Sequence, residues 1–139
     1  MSVILAIETA TSSCSAALRI NDNIVVRSEI GNNVHSQVLL GMIESLLSEA
    51  GVGAQSIDAV AVGQGPGSFT GLRIGVGVGQ GIALGANSPM IGVSSLDALA
   101  LQAEGDGTVI AAIDARMGEV YWCEYQKKGR QISRSVELQ

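Results

Sequence analysis

Three groups of residues in this chain are of the types that carry chemistry. The run Gly65-Pro66-Gly67-Ser68-Phe69-Thr70-Gly71-Leu72-Arg73-Ile74-Gly75 links an apolar strand-like segment to one with helical spacing. A strand, a glycine turn and a helix start form a layout in which backbone N–H groups and the positive helix end meet an anion, or in which a second backbone packs close. The stretch Glu8-Thr9-Ala10-Thr11-Ser12-Ser13 ends another strand on an acid followed by small hydroxyl residues, and Asp114 ends a third. Glu8 and Asp114 are thereby candidate cleft carboxylates. The third group is His35 with Ser36 and Gln37, and His35 is the chain's one histidine.

Each reading has a plain counterpart. A metal site needs three or four ligands, so a lone histidine without an HExxH pattern argues against metal chemistry, and no metal is expected. Ser68 and Thr70 have no neighbouring base among the motif residues, and a nucleophile needs one. Capping the following helix is the expected job for one of them, and Arg73 is expected to pair with an acid or a carbonyl. Glu8 and Asp114 read either as cleft carboxylates or as acids at a solvated strand end.

The elements that position these residues follow from apolar spacing. Val3 to Glu8, Cys14 to Ile20 and Ile24 to Ser28 read as a three-stranded antiparallel meander, with Asn21-Asp22-Asn23 as a tight turn. Asn33 is a candidate N-cap for a helix running to Ala50 and closed by Gly51. Its positions Val38, Leu39, Met42, Ile43, Leu46, Leu47 and Ala50 form one broad apolar face. Ile57 to Val62 is the next strand, parallel to the first because a helix precedes it.

The second helix, about Thr70 to Ala86, contains Gly75, Gly77, Gly79 and Gly81 in its interior. Each interior glycine costs about 0.8–1 kcal/mol relative to alanine, so something must offset the handicap. Gly71, Gly75 and Gly79 share one face, and Gly77, Gly81 and Gly85 share another. Both faces could let a neighbouring backbone approach closely: the glycines read either as tight packing against the sheet and the first helix, or as one face that belongs to a partner. Met90 to Val93 is a short strand, a third helix runs from Ser94 or Ser95 to Ala103, and Glu104-Gly105-Asp106-Gly107 is a linker. Beyond it, Ile110 to Arg116 echoes Ile4 to Ala10, and Val120 to Tyr125 and Gln131 to Leu138 continue as strands. The chain reads as a first lobe over 1–104 and the first strands of an incomplete second lobe over 105–139.

Composition narrows the function classes. The chain of 139 residues is 47% apolar and 15% charged, with a mean hydropathy of +0.36, more apolar than an ordinary soluble domain. Its most apolar stretch, Ile74 to Met90, is interrupted by five glycines, Gln80, Asn87 and Pro89, which argues against a membrane span. A covered parallel sheet and a protein partner are the expected outlets for the excess. Aromatic residues make up 3%, the net charge is −5, and only Lys127, Lys128 and Arg130 cluster, so direct nucleic-acid binding is not expected. Cys14 and Cys123 lie in apolar segments and read as reduced core thiols. With no basic or cleavable leader in MSVILAIE, a cytoplasmic location is expected.

The segments ILAIETATSSCSAAL, AVGQGPGSFTGLRIG and AAIDARMGEVYW, with His35-Ser36-Gln37, resemble the signature segments of the bacterial TsaB (YeaZ) family across the whole chain. The resemblance implies an α/β lobe of the actin, Hsp70 and sugar-kinase (ribonuclease H-like) architecture. It also implies a role in making threonylcarbamoyladenosine on tRNA. In that role the family is a non-catalytic accessory subunit that binds and activates a TsaD-type transferase, with a TsaE-type ATPase joining them. tRNA is reached only through the complex. The family's binding surface maps here to the two long helices, with His35, Val38, Leu39, Met42, Leu46, Arg73, Gly75, Val76 and Gly79 as expected contacts. A homodimer through the same helices is expected when no partner is present.

ATP-using members of this architecture cradle phosphates in the first hairpin, which corresponds here to Glu8, Thr9, Thr11 and Ser12, faced by Asp114. Glu8 stands in place of aspartate, Ala10 in place of glycine, and no lysine follows, so the cleft reads as vestigial and no cofactor is expected of this chain. The alternative reading is an ATP-binding phosphotransferase or ATPase of the sugar-kinase type.

Overall fold

The computed structural model describes residues 1–31 and 34–135. Strands β1 (Val3–Glu8), β2 (Ser13–Ile20) and β3 (Asn23–Ile30) form the expected meander, followed by helix α1 (His35–Ala50). A short 3-10 turn, Ala54–Ser56, leads to β4 (Ala59–Gly63), α2 (Phe69–Ala86), β5 (Met90–Val93) and α3 (Ser95–Leu101). Then come β6 (Gly107–Arg116), β7 (Glu119–Lys128) and β8 (Gln131–Arg134). The first five strands make one sheet in the order β3-β2-β1-β4-β5, and the last three make a second, β6-β7-β8. β1 runs antiparallel to β2 and parallel to β4, which is parallel to β5. This is the ribonuclease H-like lobe that the sequence predicts. Among the described residues no helix is long and apolar enough to cross a membrane.

The alternation of the strands decides which face is buried. Val3, Leu5 and Ile7 of β1, Cys14, Ala16 and Leu18 of β2, and Val60 and Val62 of β4 point to one side, where α1 and α2 cover them. α1 contributes Leu39, Ile43, Leu46 and Leu47 to this core, and α2 contributes Ala83. Leu39 and Leu46, expected as partner contacts, are each only 1% exposed and belong to the core. The helix period identified an apolar face correctly, but the chain's own sheet uses it. Val38, Met42 and Val76 are half-buried and pack against the same cluster, whereas Ala50 is exposed. Cys14 is fully buried, and burial first, then the charge of Glu29, raises its thiol pKa.

Asn33, the candidate N-cap, lies outside the described residues, as does the end of the expected last strand beyond Ser135. Val34 occupies the cap position with no side-chain bond, and Gly51, at φ 69°, closes α1 as predicted. α2 starts one residue earlier than expected, with Ser68 Oγ accepting from the Gly71 N–H.

α3 does not join the first sheet. Its Leu96 and Ala100 bury against Ala111, Ile113, Cys123 and Tyr125, so the helix expected to close the first lobe packs on the second sheet. The seam is pinned by Asp97, which accepts hydrogen bonds from the buried Tyr125 hydroxyl and from Arg134. Burial alone would raise the Asp97 carboxyl, but the Tyr125 and Arg134 bonds and the Arg134 charge outweigh it and hold the pKa below the usual carboxylate range. A depressed carboxylate adds stability above its unfolded value, about 3.9, and loses it as pH falls through the lower folded value. Asp97→Ala should therefore cost about 1–3 kcal/mol at neutral pH by leaving a buried hydroxyl unpaired. The deficit relative to the parent should shrink as pH drops below about 4. Denaturant unfolding of both proteins at neutral and acid pH measures it, and a pH-independent deficit would exclude the carboxylate's charge as its source.

Candidate functional site

The glycine motif meets the first hairpin turn. The Ser68 N–H donates to the Ala10 carbonyl at 2.7 Å, and the buried Thr9 hydroxyl donates to the Gly71 carbonyl at 2.6 Å. A Cβ on Gly67 would collide with the Ala10 carbonyl, one on Gly71 with the Thr9 carbonyl, and one on Gly75 with the Thr9 hydroxyl. One turn further along, a Cβ on Gly79 would stand 2.6 Å from Val62. Gly71, Gly75 and Gly79 are thus the face that lets α2 lie directly on the hairpin and sheet, and Gly75 and Gly79 are not available as the partner contacts expected of them.

Two candidate cleft residues are occupied in the same way. The Glu8 carboxylate lies over Gly63, where any side chain would displace it, and accepts from Ser95 Oγ at 2.7 Å. Ser95 Oγ also accepts from the Gly65 N–H, and the Ser95 N–H donates to the Gly65 carbonyl. Glu8 therefore ties β1 to the start of the motif loop and to α3, while Thr9 ties β1 to α2. His35, expected at a partner surface, is 6% exposed and places Nε2 2.7 Å from the Thr11 carbonyl. It fastens α1 to the same hairpin.

What remains is a cleft of about 540 Å³ between the hairpin, the N-terminus of α2 and the second sheet. Thr11, Ser12 and Asp114 line it, as do Ser68, Thr70 and, from the β6–β7 turn, Arg116. The structure thus brings together three of the five cleft candidates. Asp114 is engaged with its own turn, accepting from the Arg116 N–H at 2.8 Å. Among the described residues no group of three or more His, Cys, Asp or Glu side chains is placed to hold a metal ion.

The other side of α2 is unlike the packed one. Phe69, Arg73, Gly77, Gly81 and Leu84 follow one another at intervals of three or four residues, forming one exposed stripe. Phe69 is 67% exposed and Leu84 84%. The Arg73 guanidinium lies 3.9 Å over the Phe69 ring, so among the described residues Arg73 stacks on an aromatic where an acid or carbonyl partner was expected. Gly77, Gly81 and Gly85 face open space: among the described residues nothing lies within 4 Å of where a methyl would stand on each. Leu40 and Gly41 of α1 are exposed as well. Of the expected contacts only Arg73 lies on this surface. Phe69, Gly77, Gly81 and Leu84 were not among them, although the two glycine faces are separable by phase: the packed one continues in small residues to Ala83, and the open one runs beside Leu84.

Comparison with known proteins agrees with this architecture. The family model described as tRNA N6-adenosine threonylcarbamoyltransferase (TsaD) matches residues 25–138. The chain is 51% identical over 127 residues to the tRNA threonylcarbamoyladenosine biosynthesis protein TsaB of Escherichia coli, covering 89% of this chain and 55% of that protein. To the Haemophilus influenzae TsaB it is 43% identical, with coverage of 87% and 52%. The solved structure of YeaZ from Pseudomonas aeruginosa superimposes with a TM-score of 0.91 at 43% identity, over 99% of this chain and 66% of that one. The chain spans about half the length of the curated relatives it matches.

Proposed function

This chain belongs to the TsaD family, and close to its TsaB relatives, and we propose that it is a non-catalytic accessory subunit that binds and activates a TsaD-type transferase in tRNA threonylcarbamoyladenosine formation. The observation that carries the reading is the open stripe of α2. A helix that bears Gly77, Gly81 and Gly85 without any contact to their open sides from the described residues of its own chain loses stability and gains nothing internally from them. Such glycines become useful when another helix crosses at short range, because small residues let backbones approach closely. Phe69 and Leu84 at the two ends supply apolar anchors, and the stacked Arg73 supplies a charge.

The reactive side chains support the same reading by being spent on structure. Glu8, Thr9 and His35 hold the hairpin to α3, α2 and α1, and Ser68 caps α2. A TsaE-type ATPase would join the complex, and tRNA would be met through it rather than on this acidic chain. In a reconstituted transfer reaction, adding the protein to a TsaD-type transferase and a TsaE-type ATPase should raise the yield of modified tRNA, while the protein alone forms none. A yield independent of the protein would overturn the role. Saturable ATP binding by the protein alone, weakened in Glu8→Ala with the fold intact, would favour the sugar-kinase-type reading instead.

A further inference from the structure

The cations of this chain are unevenly spread. Of its eight Lys and Arg, four fall within residues 127–134, a span without an acid, and all 13 Asp and Glu lie elsewhere. These residues form the β7–β8 hairpin. Arg134 is committed to Asp97 at the seam. Lys127 donates to the Gly105 carbonyl at 3.2 Å, which keeps its charge at the tip. Lys128 and Arg130 are exposed and, among the described residues, pair with no acid. The tip is held rigid. Lys128 stands opposite Gln131, so two residues make the turn, and Gly129 supplies its φ of 61°. The Gly129 N–H donates to the Asp106 carboxylate at 2.8 Å, tying the turn to the linker. An open pocket of about 420 Å³ lies between linker and hairpin, where Gln126, Gln131 and Ser133 place amides and a hydroxyl beside Lys127 and Lys128.

We infer that this tip is a contact for the phosphodiester backbone of tRNA, made once the chain sits in the transferase complex. The inference rests on the accessory role proposed above. Against the three cations of the tip stand Asp106, which the turn uses, and Glu104 of the linker. Glu124 lies about 13 Å back along the strand from Lys128, beyond the Debye length of about 8 Å at physiological salt. The acidic remainder of the chain is therefore largely screened from the tip. No large apolar side chain is exposed between Gln126 and Ser133, so the tip lacks the anchor that a protein partner needs. Cations, amides and a hydroxyl without an apolar centre suit a phosphate backbone. Two or three such contacts bind weakly on a chain of net charge −5. With tRNA already held by the transferase, the same contacts become intramolecular and add to its affinity. The ten residues of β6 and of β7 set the tip about 30 Å from the β6–β7 turn, so the cleft is left free.

The test is filter binding of a tRNA transcript to the assembled complex of this chain, a TsaD-type transferase and a TsaE-type ATPase, over a range of salt concentrations. Lys128→Gln combined with Arg130→Gln should weaken tRNA binding by about tenfold near 0.1 M salt and lower the slope of log K against log salt by about 2. Lys128→Arg combined with Arg130→Lys should behave as the parent, because a phosphate contact reads charge. Both double variants should keep the parent's circular dichroism and its affinity for the transferase in calorimetric titration. Unchanged tRNA affinity and salt slope in an assembled complex of the Gln variant would overturn the tip contact alone. Weaker transferase binding by that variant would assign the tip to a protein partner and overturn it as well. A parent that never joins the complex would overturn the accessory role, and this contact with it.

Discussion

Gly71→Ala should destabilise the fold by about 3 kcal/mol, whereas Gly81→Ala on the same helix should stabilise it by about 0.8–1 kcal/mol. The same methyl group is added in both cases. At Gly71 it enters the space held by the Thr9 carbonyl, a backbone atom at the end of a strand that is paired on both sides. Neither partner can yield cheaply. α2 must lift away from the hairpin, which overpacks the seam and breaks the buried bond from the Thr9 hydroxyl to the Gly71 carbonyl. At Gly81 the methyl meets nothing within 4 Å among the described residues, and only the helix propensity changes. Urea unfolding of the two variants against the parent reads both values. Shifts of the same sign would mean that the two glycine faces are not distinct.

Gly81→Leu should weaken binding to a TsaD-type transferase by about a hundredfold or more while leaving the protein folded and a few degrees more heat-resistant. An interface that depends on close backbone approach has no room for an isobutyl group, and about 2.7 kcal/mol of overpacking already gives that factor. Higher stability with lost association is the diagnostic combination, since a change that harms the fold lowers both. Calorimetric titration of the transferase with parent and variant, beside a thermal scan of each, decides it. Undiminished affinity would move the contact elsewhere. Gly79→Leu is a poor probe of the same question. Its side chain would enter Val62 and Met90, and any lost binding would follow from lost packing.

Much of the fold was legible along the chain. The meander, both long helices, the Gly51 stop and the parallel fourth strand follow from spacing and caps that act over a few residues. The exceptions share one cause. α3 looked like the end of the first lobe because it precedes the linker, yet Leu96 and Ala100 find their apolar partners in strands that come later. Glu8 looked like a cleft acid because it ends a strand. Its fate was set by Gly63 and Ser95, which lie far along the chain and arrive only when β4 pairs with β1 and α3 docks. His35 looked like a surface contact until the hairpin brought the Thr11 carbonyl to its ring.

By itself the sequence determined that the glycine motif leads into α2 and that this helix has two small-residue faces, because helical period is a local property of residue order. It also determined that α1 has one apolar face. Only the tertiary structure decided that Gly71, Gly75 and Gly79 lie against the hairpin and sheet, that Leu39 and Leu46 are core, and that Gly77 and Gly81 remain open. Equal glycines become unequal once a sheet occupies one side of the helix, and which side it occupies depends on contacts between residues tens of positions apart.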